Sequence, residues 1–488
     1  MARLNGYRWR NWTWIVVLLT SSSGVASSSS AAAERPNIVL VLADDLGWSD
    51  LACYGADLHE TPELDRLASE GLRFTRAYAA APVCTPTRAA ILTGKHPARL
   101  HMTIWSEGAL QYPTQRKLLP AASLPNLPLT ERTLADRLHS AGYVTALVGK
   151  WHLGNADHAP ETHGFDINIG GTHWGAPQTF FWPYRGAGRF GAEFRYVPHL
   201  EWGKPGEYLT DRLTDEALEV IDHAVADQRP FFLMLAHHAP HTPIEAHAED
   251  VAYFEQRLTP EMHHRHPTYA AMVRSLDTSV GRIMNKLRDY GIDRDTLVIF
   301  SSDNGGYIGS APFKGQSLPV TDNWPLRSGK ASLYEGGLRV PLIIRGFQVT
   351  EPGRTIEQPV VLTDLLPTIL ASTGVALAAE DTCDGISLQP LLARSTGVLP
   401  DRPLFFHYPH YYHAPATTPC GAMRTADHWK VIEYFEDERC ELFNLANDPA
   451  EQHDLAQQMP ERLAELRQQL HAWRGSVQAN MPEVNPGK

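Results

Sequence analysis

The sequence has no excess of basic residues and no apolar run near its N-terminus that is long enough for a membrane span. Its 43 Lys and Arg against 55 Asp and Glu give a net charge of −12. This balance argues against a nucleic-acid-binding protein, because binding to phosphates needs a basic surface. The apolar run from Trp12 to Leu19 is too short to cross a bilayer, so we expect no stable membrane insertion.

Cysteine is also scarce, and no C-x-x-C pair exists among the five cysteines, which excludes a zinc knuckle. Their odd number indicates a free thiol or a thiol used in chemistry. Cys84 lies between Pro82 and Pro86, just before a helix-like run. From these residues alone it is a buried apolar side chain, half of a disulfide, a metal ligand or a nucleophile.

The N-terminal segment has the pattern of an export signal. Arginines precede the apolar run, and a Ser/Ala-rich stretch follows it, with Ala31 and Ala33 in the small-x-small arrangement of a cleavage site. We therefore expect residues 1–33 to be a signal peptide and the protein to reach the periplasm, the extracellular space or the secretory pathway. A disordered cytosolic tail is the alternative.

Short apolar runs alternate with amphipathic stretches along residues 34–400. The predicted buried strands are 37–43, 144–149, 231–236, 296–302 and 341–346, and the predicted helices include 131–141, 210–226 and 269–290. This alternation predicts an α/β catalytic domain with a large, mixed, mostly parallel sheet sandwiched by helices. Residues 401–488 change to a strand-like alternation followed by a polar helix, 460–476, which predicts a smaller C-terminal α+β subdomain with an antiparallel sheet.

Acidic and amide side chains follow two of the predicted strands. Asp44 and Asp45 come after 37–43, and Asp303 and Asn304 come after 296–302. Either pair alone would be interpreted as a helix cap or an Asx-turn. Two pairs at the carboxyl edge of one sheet favour a metal site, and hard oxygen ligands favour Ca²⁺ or Mg²⁺ over zinc.

Basic side chains follow other predicted strands. Lys150 and His152 come after 144–149, a group of histidines that includes His241 comes after 231–236, and Lys330 precedes the last predicted strand. An acidic metal site ringed by Lys and His is suited to holding a tetrahedral oxyanion and protonating its leaving group.

Residues 84–94, CTPTRAAILTG, match the sulfatase signature C-x-P-x-R-x(4)-T-G at every fixed position. The segments NIVLVLADDLG, GKWHLG, APHTP, SSDNGG and GKASLYEGGLRVP resemble the other blocks of this family, in the family's order. From Arg35 to about Gln457 the sequence resembles the formylglycine-dependent (type I) sulfatases of the alkaline phosphatase-like superfamily.

The resemblance implies that a maturation enzyme oxidises Cys84 to Cα-formylglycine, with Thr85 and Pro86 as part of its recognition motif. One oxygen of the hydrated aldehyde would attack sulfur, and collapse of the diol would expel sulfate without attack of water on sulfur. The resemblance also implies one Ca²⁺ per chain beside residue 84, with Asp44, Asp45, Asp303 and Asn304 as the family's metal ligands.

The remaining family positions imply roles for the basic residues. Arg88 would hold the hydrated aldehyde, and Lys150 and His152 match the pair after the fourth block, with His152 as the base. His241 and Lys330 match the contacts to the bridging ester oxygen, with His241 as the general acid. His237 and His238 are rivals of His241, and His173 is a looser match to a further sulfate contact.

Two other functions compete with sulfate ester hydrolysis. One is a phosphonate or phosphate monoester hydrolase of the same superfamily, and the other is a non-catalytic secreted glycan-binding protein on this fold. The intact signature and the complete set of reactive positions favour a sulfatase.

The expected substrate is a sulfated small molecule or saccharide, and a carbohydrate sulfate is favoured by export and by the loops 167–205 and 307–325. Trp174 and Trp182 could stack on a sugar, and Arg185, Arg189 and Arg195 could pair with further anions. The alternative is that this stretch merely covers the domain.

Overall fold

The computed structural model describes residues 35–109, 115–413 and 416–488, so the predicted signal peptide lies outside the described residues. None of the helices in these ranges combines the length and the apolar character needed to cross a membrane.

The described residues form nineteen strands, named in chain order. They are β1 (Asn37–Ala43), β2 (Leu72–Tyr78), β3 (Leu118–Leu119), β4 (Val144–Gly149), β5 (Ile167–Ile169), β6 (Gly186–Gly188), β7 (Gly191–Arg195), β8 (Phe231–Ala236), β9 (Thr296–Ser302), β10 (Ser310–Phe313), β11 (Gln316–Pro319), β12 (Arg339–Gly346), β13 (Arg354–Ile356), β14 (Val360–Val361), β15 (Leu404–Tyr408), β16 (Cys420–Arg424), β17 (Trp429–Tyr434), β18 (Cys440–Asn444) and β19 (Glu483–Val484).

The same residues form twelve α-helices. They are α1 (Pro62–Ser69), α2 (Cys84–Thr93), α3 (Pro97–Leu100), α4 (Ser106–Ala109), α5 (Leu134–Ser140), α6 (Leu209–Ala226), α7 (Ala248–Glu255), α8 (Pro267–Asp289), α9 (Glu335–Leu338), α10 (Leu365–Thr373), α11 (Gln389–Ala393) and α12 (Pro460–Ser476).

The central sheet has nine strands in the order β13–β2–β12–β9–β1–β8–β4–β5, with β14 beside β2. Strand β12 is antiparallel to both of its neighbours, and the other pairs are parallel. This confirms the predicted mixed, mostly parallel sheet. The predicted strands are found as β1, β4, β8, β9 and β12, the last beginning two residues earlier than predicted.

Helices cover both faces of this sheet, which explains why its central strands are continuous apolar runs. Along β1, Ile38 and Leu40 enter the core layer shared with α2, α5 and α10, whereas Val39 and Val41 enter the layer shared with α1, α6 and α8. Successive side chains of the strand therefore pack alternately into two cores, one on each face of the sheet.

Strands β15 to β18 form a separate four-stranded antiparallel sheet, as predicted for the C-terminal segment. One face packs on α12 through contacts such as Val431 with Leu466. The other face, which includes Phe406, shares a core cluster with Val83, which precedes α2, and with Ala90 inside α2. Helix α2, which carries the sulfatase signature, is thus held between the two sheets.

The ends of some elements differ from the prediction. The helix predicted at 131–141 begins at Leu134, because the side chains of Thr133 and Asp136 each accept the other's backbone N–H in a capping box. The stretches 167–205 and 307–325, predicted as loops, contain the hairpins β6–β7 and β10–β11. Their short, glycine- and proline-containing strands show no apolar alternation in the sequence.

Candidate active site

Four parallel strands end at the same level of the central sheet. Ala43 at the end of β1 pairs with Ser302 of β9, and Gly149 of β4 pairs with Ala236 of β8. The residues that follow these ends are Asp44 and Asp45, Asp303 and Asn304, Lys150 and His152, and the histidines of 237–241. The structure therefore brings together the polar segments that the sequence predicted for this edge.

Each of the three carboxylates in the site is paired with one cation. The pairs are Lys150 with Asp44 at 2.7 Å, Lys330 with Asp45 at 2.7 Å, and Arg88 with Asp303 at 2.8 Å. All six side chains are at most 8% exposed. Pairing lets three buried carboxylates lie side by side, since an unpaired buried charge is costly.

In each of these ion pairs the cation contacts Oδ2 of the carboxylate, and Oδ1 makes a different contact. Oδ1 of Asp44 and Oδ1 of Asp45 lie 3.4 and 3.9 Å from Sγ of Cys84, and Oδ1 of Asp303 lies 3.3 Å from the backbone nitrogen of Asp45. Asn304 donates from Nδ2 to Asp45, and its buried Oδ1 has no hydrogen-bond partner. Three carboxylate oxygens and one orphaned carbonyl oxygen fit a Ca²⁺ or Mg²⁺ ion.

Burial acts on the pKa of all three carboxyl groups. It raises the pKa of Asp44 to about 7, because Lys150 offsets only part of the effect and Asp303 adds to it. Burial also acts on Asp45 and Asp303, but the cations beside them outweigh it and lower the pKa of both. The neighbouring cations therefore compensate the negative charge of Asp44 only in part, which is expected at a site that binds a further cation.

Cys84 is the first residue of α2 and lies at the centre of these groups, only 4% exposed. Its Sγ is 3.6 Å from Nζ of Lys330. Arg88, one turn further along α2, donates to the backbone carbonyl of Lys150 at 3.0 Å. Burial raises the pKa of the Cys84 thiol far above its usual value. Unmodified, this side chain stays protonated at neutral pH and is a weak nucleophile.

His152 is held in an unusual backbone conformation, with a φ of 62° that matches the 64° of Asp45. Such strain is often found at functional sites. The His152 ring packs on Gly175, where a Cβ would come within 2.5 Å of it, and Oε2 of Glu107 lies 3.9 Å from Nε2. Burial and Lys150 lower the pKa of His152 to about 4. Its imidazole is therefore neutral at pH 7 and able to accept a proton.

Among the three histidines after β8, His241 faces the site, with Nε2 at 3.4 Å from Oδ2 of Asp45. His237 is fully buried on the helix side, where Nε2 contacts Oγ of Ser279 at 2.9 Å. His238 is buried as well and does not line the cleft described below. The structure therefore favours His241 over its two rivals.

A cleft of about 610 Å³ opens above Cys84. Its lining combines catalytic candidates with residues from several other segments: Asp45, Cys84, Trp105, Glu107, His152, Gly175, Ala176, Phe190, Glu193, Arg195, His241, Thr242, Tyr307, Lys330, Tyr412 and His413. Sequence reasoning missed Trp105, Glu107 and Tyr412. Glu107 lies in the short helix α4, and Trp105 and Tyr412 lie in loops; none of these segments follows a strand of the central sheet, and no spacing in the sequence distinguishes them.

The aromatic stretch 172–186 mostly packs onto the body of the protein. Phe180 and Tyr184 are fully buried, Trp174 is 8% exposed, and neither Trp174 nor Trp182 lines the cleft. Stacking of these tryptophans on a sugar is therefore not supported. Phe190, at the turn of the β6–β7 hairpin, lines the cleft instead.

Among the three arginines of the segment 167–205, Arg195 alone lines the cleft. Arg189 pairs with Glu245 at 2.6 Å, and Arg185 is exposed outside the cleft. His173, the looser candidate for a sulfate contact, is also outside the cleft lining.

The chain matches known proteins over most of its length. The family model described as Sulfatase matches residues 36–375, and the model described as N-sulphoglucosamine sulphohydrolase, C-terminal, matches residues 328–476. The chain is 36% identical over 391 residues to N-acetylgalactosamine-6-sulfatase of Canis lupus familiaris, a match that covers 77% of this chain and 69% of that protein.

Two further comparisons agree. Steryl-sulfatase of Homo sapiens is 32% identical over 447 residues, covering 78% of this chain and 73% of that protein. The crystal structure of Ps i-CgsB in complex with k-i-k-neocarrahexaose has a TM-score of 0.75 and 30% identity, covering 90% of this chain and 92% of that chain. The Sulfatase match spans every catalytic and metal-binding candidate from Asp44 to Lys330. The chain therefore belongs to the sulfatase family, the enzymes that hydrolyse sulfate esters.

Proposed function

We propose that this sulfatase removes sulfate from carbohydrates, with a formylglycine made from Cys84 as its nucleophile and one bound Ca²⁺. The observation that carries the proposal is the position of Cys84 at the floor of the cleft. Its Sγ lies within 4 Å of two carboxylates and one ammonium group. Hydrolysis of an anionic ester uses acidic and basic side chains this close to one reactive position. The carboxylates hold a metal ion, and the cations stabilise the negative charge of the transition state.

Modification of Cys84 by a maturation enzyme is part of the proposal. The buried thiol with its raised pKa supports it, because such a thiol is a poor nucleophile. A hydrated formylglycine supplies an oxygen nucleophile that releases sulfate when the diol collapses to the aldehyde.

Asp44, Asp45, Asp303 and Asn304 would hold the metal ion. The oxygen-only donor set and the orphaned Oδ1 of Asn304 support this assignment. A bound Ca²⁺ stabilises negative charge on the sulfate oxygens during transfer. The ligand types also permit Mg²⁺.

The surrounding residues divide into two groups. Arg88 and Lys150 are proposed to orient residue 84, and the neutral imidazole of His152 to accept its proton. Lys330 and His241 are proposed to serve the bridging oxygen. Nδ1 of His241 lies 2.7 Å from the carbonyl of Thr242, to which it donates, so proton donation from Nε2 needs the imidazolium form. Burial lowers the pKa of His241 to about 3, so the imidazolium form depends on an anionic ester in the cleft, whose charge raises this pKa.

The cleft lining supports a carbohydrate as substrate. Beyond the reactive residues it combines Glu107, Glu193 and Arg195 with the rings of Trp105 and Phe190. Polar groups beside aromatic faces suit the hydroxyls and apolar faces of a sugar ring. The names of the relatives point to a sulfated N-acetylgalactosamine, a sulfated steroid and a carrageenan fragment. The charged side chains in the cleft lining favour the saccharides over the steroid.

Export to a periplasmic, extracellular or secretory-pathway location is part of the same proposal, because sulfated glycans occur there. The boundaries of a signal peptide at 1–33, a catalytic domain at 34–400 and a C-terminal subdomain at 401–488 stay predictions.

The test is a rate comparison with protein produced alongside a maturation enzyme. We expect 4-nitrophenyl sulfate and at least one sulfated saccharide to be hydrolysed, and 4-nitrophenyl phosphate to react at least about 100-fold more slowly in kcat/KM. Preference for the phosphate or a phosphonate ester would assign the chain to the competing hydrolase class. No turnover of any ester, with residue 84 fully converted, would favour a glycan-binding protein.

A further inference from the structure

One wall of the cleft carries charged side chains to which the proposed chemistry assigns no contact with the sulfate group. We define the acidic wall as Glu107 of α4 together with Glu193 and Arg195 of β7. An amino group of the Arg195 guanidinium lies 3.6 Å from Oε1 of Glu107, and its Nε donates to Oε2 of Glu193 at 3.2 Å. Two carboxylates thus share one guanidinium, which leaves the wall with an excess of negative charge.

The carboxylates are more accessible than the cation between them. The side chain of Arg195 is 9% exposed, against 36% for Glu107 and 45% for Glu193. Its guanidinium also lies over the ring of Phe190, 4.5 Å from the ring centroid. A ligand in the cleft therefore meets the side chain of Glu193 before that of Arg195, which has little capacity left for an anion.

Glu107 keeps its negative charge at neutral pH. Burial alone would raise the pKa of Glu107, but the contacts with His152 and Arg195 bring it down to about 2. Nε2 of His152 lies 3.9 Å from Glu107, and Nε2 of His173 lies 3.7 Å from Glu193. Among the described residues, these imidazoles are the titratable groups besides Arg195 that contact the two carboxylates.

We propose that the acidic wall determines specificity: it selects sulfate esters with hydroxyls beside the reacting group and rejects those with a second sulfate or a carboxylate there. The inference rests on the proposed function and narrows its substrate class. Carboxylates accept hydrogen bonds from sugar hydroxyls, whereas a second anion in a partly buried cleft meets like charge. It is the alternative to the expectation that Arg195 pairs with additional anionic groups.

The experiment compares 4-nitrophenyl sulfate with its analogue that carries a carboxylate ortho to the ester. For each variant the quantity measured is the ratio of kcat/KM for the anionic substrate to that for the neutral one. The fraction of active enzyme cancels in this ratio, because both substrates are measured with the same preparation. The difference in intrinsic reactivity between the two substrates cancels when the ratios of two variants are compared.

We expect Glu193→Gln to raise this ratio at least about fivefold, because one like charge is removed. Glu201→Gln is the matched control. Glu201 is exposed in the same chain segment and lies outside the cleft lining, so its loss should leave the ratio within about twofold. In the unmutated enzyme, raising NaCl from about 0.05 to about 0.5 M should also raise the ratio, since salt screens charge.

A ratio that changes less than twofold in Glu193→Gln and does not respond to salt would overturn the inference. If Glu193→Gln does not fold, the salt dependence alone decides. Absence of turnover of 4-nitrophenyl sulfate by the mature enzyme would instead count against the proposed function, so the two failures are distinguishable.

Discussion

The ammonium group of Lys330 lies 3.6 Å from Sγ of Cys84, although 246 positions separate the two residues in the sequence. Lys330 is also paired with Asp45, and this contact raises the pKa of Lys330 in spite of its burial. The residue therefore keeps a positive charge next to the reactive position.

Residue 84 is the first target. Cys84→Ala should fold, because it removes one small side chain, and should lose at least about 10³-fold in kcat, because no other nucleophile is in reach. Peptide mass spectrometry of the unmutated protein should find an aldehyde in place of the thiol. Cys440→Ala, which removes a cysteine of the C-terminal sheet, is the control and should keep its activity. Full activity of Cys84→Ala would disprove the mechanism.

The metal site is best tested at Asn304, since this residue is a predicted ligand that takes no part in the three ion pairs. Asn304→Ala should bind Ca²⁺ at least about tenfold more weakly, measured by calorimetric titration of metal-free protein. The exposed Asn285→Ala serves as the control. Stoichiometric zinc in the purified enzyme, or unchanged Ca²⁺ affinity of Asn304→Ala, would contradict the assignment.

His241 is predicted to protonate the leaving group. His241→Ala should lower kcat/KM for a saccharide sulfate by about 10²- to 10⁴-fold, but that for 4-nitrophenyl sulfate by less than about tenfold, because nitrophenolate leaves without a proton. His453→Ala, with a side chain that is 78% exposed, is the matched control. Equal losses on both substrates would assign His241 a different role.

Glu107 is predicted to orient the base. Its carboxylate lies 3.9 Å from Nε2 of His152, and its charge opposes the lowering of the His152 pKa. Glu107→Gln should therefore reduce kcat for 4-nitrophenyl sulfate roughly tenfold and shift the acid limb of the kcat profile to lower pH. Glu107→Asp should restore part of the rate. An unchanged pH profile would show that Glu107 does not act through His152.

A buried charge cluster around Asp50, five residues after Asp45, is expected to contribute to stability. Asp50 accepts hydrogen bonds from the backbone of Gly47 and from Tyr269 at 2.6 Å each, and its Oδ1 lies 3.2 Å from Nε2 of His264. Burial would raise the pKa of Asp50, but His264 and the other donors lower it from 3.8 to about 2. The pKa of His264 is raised in turn.

Asp50→Asn should accordingly lower the free energy of unfolding by about 2 kcal/mol near pH 6. A lowered carboxyl pKa stabilises above pH 3.8, so the penalty should shrink as the pH falls from 3.8 through about 2. A raised imidazole pKa stabilises below 6.5, so the penalty should also shrink as the pH rises through the folded-state value of His264. Denaturant unfolding across this range checks both limbs, with the half-exposed Asp322→Asn as the control.

The sequence by itself determined the central sheet and the reactive edge of the site. Continuous apolar runs such as 37–43 predict strands covered on both faces, and parallel strands place the residues after their ends at one edge. Asp44 and Asp303 therefore lie at the same edge of the sheet, as the sequence predicted. The signature around Cys84 identified the family. Local pattern and strand direction are enough for such inferences.

Only the tertiary structure decided which cation holds which carboxylate, which histidine faces the cleft and which side chains form its walls. Lys330 contacts Cys84, and Glu107 contacts His152 and Arg195. These contacts depend on the course of the connecting loops, which long-range packing determines. His237 and His241 are four residues apart in one segment, yet one is buried against Ser279 of α8 while the other faces Asp45. Periodicity specifies regular elements, but it carries no information on the path of an irregular loop.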